Sequence, residues 1–271
     1  MATAGESTPG GIPRYPILLM HGLGGVYPGR WANELHSAAQ ALIQAGIPAA
    51  APTVPPYHAI AFRSALWAEH LAQMQDAYKA DKVNLLAFSM GGLDARYLVR
   101  ALGAHAVVAS VTTLSTPHHG TAMADYGRSK LKYVRHGVIA GMHAIGRLVV
   151  PEIEPKVAEA LDQLSPTYVC GEFNPRVPDH PEVAYFSYLA AAGRGTDRPI
   201  TPLLMVQNRI VFEREGLNDG LVSLTSARWG TVLGVLPADH LKLSGWSLGG
   251  GAFDRDQFLR RLAAGLAERG F

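Results

Sequence analysis

The stretch that most narrows the choice of fold is an apolar run, Val83-Asn84-Leu85-Leu86, that passes through Ala87-Phe88-Ser89-Met90-Gly91-Gly92 into the helical-looking Leu93-Asp94-Ala95-Arg96-Tyr97-Leu98-Val99. A serine with small residues two positions away on each side, at a strand-to-helix junction, is the pattern of a nucleophile elbow. The turn is so sharp that bulky neighbours would collide, so Ala87 and Gly91 keep the space clear. Strain of this kind holds the Ser89 hydroxyl in the open, above a helix N-terminus that favours developing negative charge.

The rest of the chain repeats the same layered theme. Tyr15-Pro16-Ile17-Leu18-Leu19-Met20 reads as a buried strand that ends in a glycine turn, His21-Gly22-Leu23-Gly24-Gly25. A helix is expected from Trp31 to Ala45, closed by Gly46, and a strand from Pro48 to Val54. Residues 62–80 show helical periodicity through Phe62, Leu66, Leu71 and Met74, and Lys82 to Leu86 returns to strand. The run Val107 to Leu114 is rich in β-branched residues and apolar on both faces, and Val183 to Tyr188, Leu203 to Val206 and Thr231 to Leu236 also read as strands. Strands of this kind alternating with helices imply a mostly parallel central sheet flanked by helices on both sides. A terminal amphipathic helix is expected from Arg255 to Glu268.

The alternation breaks over about 118–182, where three apolar helical segments are expected: Ala124–Val134, Val138–Val150 and Pro155–Leu164. The simplest account is a single domain over 1–271 with a flexible arm at 1–14 and a helical lid or cap inserted at about 118–182. Val138, Ile139, Met142, Ile145, Leu148, Val149 and Val150 make the middle segment too apolar for an ordinary surface helix. It is either buried in a larger core or a lid with an apolar underside, with Gly137, Gly141 and Gly146 as flexible points.

Composition excludes several classes. A net charge of +2 with scattered Lys and Arg leaves no nucleic-acid footprint and no polybasic membrane anchor. The single cysteine, Cys170, permits no internal disulfide and is expected as a half-buried small apolar side chain. No Cys/His grouping has zinc spacing, and no cofactor is expected. Met1 to Gly11 carries no pattern of a signal peptide, and no apolar run approaches ~20 residues; a secreted mature form and a cytoplasmic protein both fit. The turn His21-Gly22-Leu23-Gly24-Gly25 lacks the Gly-x-Gly-x-x-Gly spacing of a dinucleotide site.

A serine nucleophile needs a base, an acid to orient that base, and donors for an oxyanion. In an open α/β sheet these groups arrive at the carboxyl ends of strands in the order Ser, acid, His. Among 11 histidines, His240 is favoured because Pro237-Ala238-Asp239-His240-Leu241 follows the last expected strand; His118 and His119 break the order. Asp219, in the turn Asn218-Asp219-Gly220, leads the candidates for the acid, with Asp197 and Asp239 behind it. The oxyanion donors are expected to be the backbone N–H groups of Met90 and Leu23.

Taken together, these residues resemble the bacterial true lipases of the α/β-hydrolase fold, the group that includes Pseudomonas and Burkholderia enzymes. The resemblance is carried by Tyr15-Pro16-Ile17 through His21-Gly22-Leu23, by Lys82-Val83-Asn84-Leu85 through Ser89-x-Gly91-Gly92-Leu93, and by Ala109-Ser110-Val111-Thr112-Thr113 with Thr116-Pro117-His118-x-Gly120. Asn218-Asp219-Gly220-Leu221-Val222-Ser223, Ser226-Ala227-Arg228 and His240-Leu241 complete it. It implies an α/β-hydrolase fold with Ser89 as nucleophile, Asp219 as acid, His240 as base, and Leu23 and Met90 as oxyanion donors. It also implies a lid at residues 118–165 and carboxylic esters, acylglycerols included, as substrates met at a lipid–water interface. No obligate protein partner is evident. Two departures stand out: Ala87-Phe88-Ser89 replaces the usual Gly-His-Ser, and Lys242 stands where the family places a calcium-ligating aspartate, so no such calcium site is expected. A short-chain carboxylesterase, a polyester-degrading esterase, an acyltransferase, a thioesterase and a catalytically silent binding module are the competing expectations.

Overall fold

Four consecutive apolar residues, Ile17–Met20, form strand β1, and each of them is buried, so both faces of this strand are covered. The computed structural model describes residues 11–27, 32–129, 132–245 and 253–271. Of the expected arm, residues 1–10 lie outside that set, while the Arg14 N–H donates to the Phe271 carbonyl at 2.7 Å.

After β1, a short ribbon of β2 (Val26–Tyr27) and β3 (Ala32–Asn33) precedes helix α1 (His36–Gln44). Then come β4 (Ala49–Ala50), α2 (Ile60–Tyr78), β5 (Val83–Phe88), α3 (Gly91–Ala101) and β6 (Val108–Leu114). The inserted region holds α4 (Ala122–Ser129), α5 (Lys132–Val149), α6 (Val157–Asp162), α7 (Pro166–Tyr168) and α8 (Asn174–Arg176). The chain closes with β7 (Ala184–Ala190), α9 (Met205–Glu215), α10 (Leu224–Ala227), β8 (Thr231–Leu236), α11 (His240–Ser244) and α12 (Arg255–Glu268).

Six strands form one parallel sheet in the order β4-β1-β5-β6-β7-β8. Their side chains alternate between two cores. Ile17, Leu19, Leu86 and Phe88 pack against α1 and α12, while Leu18, Met20, Leu85 and Ala87 pack against α2 and α3. Because every strand runs the same way, the segments that follow β1, β5, β6 and β8 leave the sheet along one edge. No helix among the described residues is long and apolar enough to cross a membrane.

Three local expectations are corrected. The helix expected from Trp31 begins at His36; Trp31 itself lies outside the described residues, and Asn33 delays the start. Its Nδ2 donates to Ala51 O and Pro52 O, each at 2.9 Å, while its Oδ1 accepts from Leu35 N at 2.8 Å. The strand expected over Pro48–Val54 shrinks to two residues, since Pro52, Pro55 and Pro56 bring no N–H to a ladder. The strand expected over Leu203–Val206 is a 3-10 turn, Pro202–Leu204, that leads into α9. Pro202 presets the first helical turn, and Asn208 and Val211 on α9 turn inward.

Candidate active site

The site is assembled where β1 and β5 end side by side. Ser89 has φ +54, a left-handed conformation that is costly for a residue with a Cβ, and its N–H donates to Leu114 O at 3.0 Å. Close packing enforces that strain. A Cβ on Gly91 would lie 2.5 Å from Met20 O, and one on Gly22 would lie 2.7 Å from Ser89 Cβ. The glycine turn after β1 is thereby pressed onto the elbow, with Leu23 next in sequence to Gly22 and Met90 next to Ser89.

Polar groups from three segments fix that turn. Arg63 Nη2 donates to His21 O at 2.7 Å. The His21 ring is held as the neutral tautomer with Nδ1–H donating to Gly22 O at 2.9 Å, while Nε2 accepts from Val54 N at 3.2 Å. Burial, reinforced by the nearby Arg63 cation, lowers its pKa to about 3, so His21 does not charge near neutrality.

The structure brings Ser89, His240 and Asp219 together. His240 Nε2 lies 3.0 Å from Ser89 Oγ, and His240 Nδ1 lies 2.6 Å from Asp219 Oδ2. Asp219 is fully buried in a short antiparallel bridge, Asn218 to Ser223. Its Oδ1 accepts from Leu221 N at 2.9 Å and Val222 N at 2.8 Å, and its backbone carbonyl accepts from His240 N at 2.9 Å. Burial by itself would lower the His240 pKa, but the charge and hydrogen bond of Asp219, aided by Glu34 and Asp239, outweigh it and raise the pKa.

Two polar neighbours escaped the sequence. Ser115, at φ +48 just beyond β6, donates its hydroxyl to Asp219 Oδ2 at 2.5 Å. Glu34, on the return from the β2–β3 ribbon, reaches the glycine turn. Only the position of Ser115 at a strand's carboxyl end could have signalled it; Glu34 leaves no local signal.

The competing residues go elsewhere. Asp197 is exposed and pairs with its neighbour Arg198 at 3.3 Å. Asp239 caps α11, accepting from Lys242 N at 3.0 Å and from Thr201 N and Oγ1 at 2.8 Å each. Buried His118 contacts Thr113 Oγ1 at 3.1 Å and stacks on Trp229, while His119 contacts Ser226. Lys242 Nζ donates to Pro199 O at 2.8 Å and lies 3.3 Å from Asp239 Oδ2. Cys170 is exposed rather than half-buried, because its turn of π-helix, Val169–Phe173, directs Val169 and Phe173 inward instead.

At the opposite end of the sheet, His105, His180 and Glu182 bring ligand atoms within 4.8 Å of one another. The two imidazoles stack with centroids 3.8 Å apart and planes 15° apart, so their in-plane lone pairs do not converge on a common point.

The sequence profile of the palmitoyl protein thioesterase family matches residues 16–144. Triacylglycerol lipase 2 of Saccharomyces cerevisiae is 33% identical over 183 residues, which are 66% of this chain and 50% of that protein. A triacylglycerol lipase of Pseudomonas fragi is 35% identical over 121 residues, which are 45% of this chain and 40% of that protein. The match to these relatives thus spans half of their length or less. Among solved structures, the mature form of a Bacillus licheniformis lipase superposes with a TM-score of 0.65 at 25% identity, covering 90% of each chain. A parallel sheet of this order, with a strained serine elbow facing a histidine and a buried acid, is the α/β-hydrolase fold. Within that fold, the chain is similar in sequence to triacylglycerol lipases of yeast and of Pseudomonas fragi over part of its length.

Proposed function

We propose that the chain is a serine carboxylic ester hydrolase of the lipase type, working through an acyl-enzyme. The observation that carries this reading is the continuous relay from Ser89 Oγ to His240 at 3.0 Å and from His240 to Asp219 at 2.6 Å. Ser89 Oγ attacks the ester carbonyl as its proton passes to His240 Nε2. Asp219 holds Nδ1–H and stabilises the imidazolium that forms. The tetrahedral oxyanion is met by the backbone N–H groups of Leu23 and Met90, which the packed turn and the start of α3 hold in place. His240 returns the proton to the leaving alcohol, and water then releases the acid by the same route.

The insertion supports a lipid substrate. On α5, Val138, Ile145 and Leu148 are exposed, with Leu148 at 66%, while Gly146 is buried against Pro155 and the Tyr57 ring. We assign α4–α6 as a lid whose apolar residues meet the lipid–water interface. Converting Ser89 to Ala is expected to lower kcat on p-nitrophenyl esters by roughly 10⁵-fold or more with the fold intact; retained turnover would refute the assignment. A long-chain preference with emulsified substrate identifies a lipase, whereas a maximum at acetate or butyrate identifies an esterase. The family profile over residues 16–144 favours one second reading, a long-chain acyl thioesterase. Preferential cleavage of palmitoyl thioesters over the matching oxygen esters would select it.

A further inference from the structure

Thr121 stands at the neck where the inserted helices leave the sheet, and the neck is fastened to the turn that carries Asp219. Gly120, at φ +81, has no room for a side chain, since a Cβ there would lie 2.4 Å from Pro166 N. Its carbonyl accepts from Ser226 Oγ. Thr121 Oγ1 donates to Leu221 O at 2.5 Å, and Ala122 N–H donates to Glu215 Oε1 at 2.8 Å. Three consecutive residues are thus bonded to the stretch from Glu215 to Ser226. Thr121 N–H reaches across the neck to Leu164 O at 2.9 Å, which ties the first residue of the insertion to its return. The buried Thr121 hydroxyl also accepts from Met123 N at 3.2 Å, so both its donor and its acceptor capacity are used.

The bond to Leu221 gains its meaning from the far side of the same peptide. The Leu221 carbonyl and the Val222 N–H belong to one rigid plane. That N–H donates to Asp219 Oδ1 at 2.8 Å. Holding the carbonyl oxygen therefore fixes the direction in which the N–H points. Without the Thr121 hydroxyl the plane is free to turn about its two Cα atoms, and Oδ1 keeps only Leu221 N, at 2.9 Å, as a firm donor. A carboxylate released at one oxygen pivots about its Cβ–Cγ bond. The pivot carries Oδ2 away from His240 Nδ1, which it meets at 2.6 Å.

We infer that Thr121 is a positioning residue for the catalytic acid: its hydroxyl orients the Leu221–Val222 peptide, and that peptide holds Asp219 in line with His240. The inference rests on the ester-hydrolase reading of the Ser89 site. Because the neck is bonded to the body of the fold through Ser226, Leu221 and Glu215, this role is independent of where the lid beyond it stands.

The test compares Thr121→Val, which keeps the shape but removes the hydroxyl, with Thr121→Ser, which keeps the hydroxyl and drops the methyl. Both are assayed on a water-soluble and an emulsified p-nitrophenyl ester, after each is checked for a cooperative thermal transition. Should Thr121→Val not fold, Thr121→Ala, which brings no methyl against Leu221 O, takes its place. Losing the hydroxyl is expected to lower kcat by roughly 3–10-fold, with KM unchanged and by the same factor on both esters; Thr121→Ser is expected to restore the parent's kcat. A parent-like kcat without the hydroxyl would overturn the inference. So would a loss confined to the emulsified ester, which marks a lid contact, or a loss that Thr121→Ser does not restore, which marks packing. The NMR signal of the His240 Nδ1 proton reads the same positioning without turnover: it is expected to move upfield in Thr121→Val, as the bond to Asp219 lengthens, and to return in Thr121→Ser. A parent inactive on esters whose signal behaves in this way would sink the ester-hydrolase reading and leave the role of Thr121 standing. A signal that stays in place without the hydroxyl would sink the role itself.

Discussion

Replacing Arg63 by Met tests whether the foundation of the site is an ion pair whose proton count the fold controls. Arg63 and Asp94 are both fully buried, and the guanidinium meets Asp94 Oδ2 at 2.8 Å. It also donates to Pro55 O at 3.0 Å, Pro56 O at 3.2 Å and His21 O at 2.7 Å. Asp94 Oδ1 has no partner, and Trp67 Nε1 lies 3.2 Å from Oδ2. Burial raises the Asp94 pKa to about 6 despite the opposing pull of Arg63 and Trp67. Without the cation that pull is lost, and the folded-state pKa climbs further. An acid held above its unfolded value of 3.8 binds its proton more tightly in the fold, so stability declines as pH rises from there to the folded pKa. The slope is about 1.4 kcal/mol per pH unit. In the parent this decline ends near pH 6; in the variant it continues towards pH 8. Breaking a buried pair costs about 3–5 kcal/mol, a large share of the roughly 5–15 kcal/mol that holds such a domain. The penalty measured by urea unfolding is therefore expected to be smaller near pH 5.5 than near pH 8 by up to roughly 2–3 kcal/mol. Adding Asp94→Leu to Arg63→Met removes the stranded acid and is expected to recover more than about 1 kcal/mol near pH 8. A penalty equal at both pH values, with no recovery in the double variant, would refute the reasoning.

Ser115→Ala removes one of the hydrogen bonds that hold Asp219 but leaves Leu221 N, Val222 N and His240 in place. One bond to a charged acceptor is worth about 1.5–3 kcal/mol, so kcat is expected to fall roughly tenfold or more with KM unchanged, and a parent-like kcat would contradict this. Gly91→Ala places a Cβ 2.5 Å from Met20 O and 2.8 Å from His21 O, backbone atoms that cannot swing aside. The start of α3 must then back away from β1, costing about 1–3 kcal/mol in unfolding experiments and at least ~10-fold in kcat; unchanged values of both would argue against the close fit. Chelation with EDTA is expected to change neither Tm nor activity, because Asp239 is already saturated by Thr201 and Lys242. A fall in Tm would reveal a structural cation after all.

That Ser89, Asp219 and His240 meet at one place was legible because each carries a local cue: Ser89 between small residues after a strand, Asp219 in an Asn-Asp-Gly turn, His240 just beyond the last strand. The anchors beneath them were not, and α2 explains why. The apolar periodicity through Phe62, Leu66, Leu71 and Met74 finds the buried Leu71 and Met74 and the partly buried Leu66, but it includes Phe62 and passes over Arg63 and Ser64. In the fold Ile60, Arg63, Ser64, Trp67, Leu71 and Met74 turn inward, while Phe62 is 37% exposed and stacks on His58. A buried arginine breaks the rule that reads apolar residues as interior, and its compensation lies far along the chain: Asp94 on α3, two proline carbonyls and His21 at the end of β1. Ser115 follows the same logic, since it lies just beyond β6 and its partner, Asp219, is remote in sequence. What the chain hides from pattern reading is therefore its polar interior. That interior sits directly under the site, where Arg63 and the His21 ring hold the carbonyls of His21 and Gly22 in the glycine turn after β1.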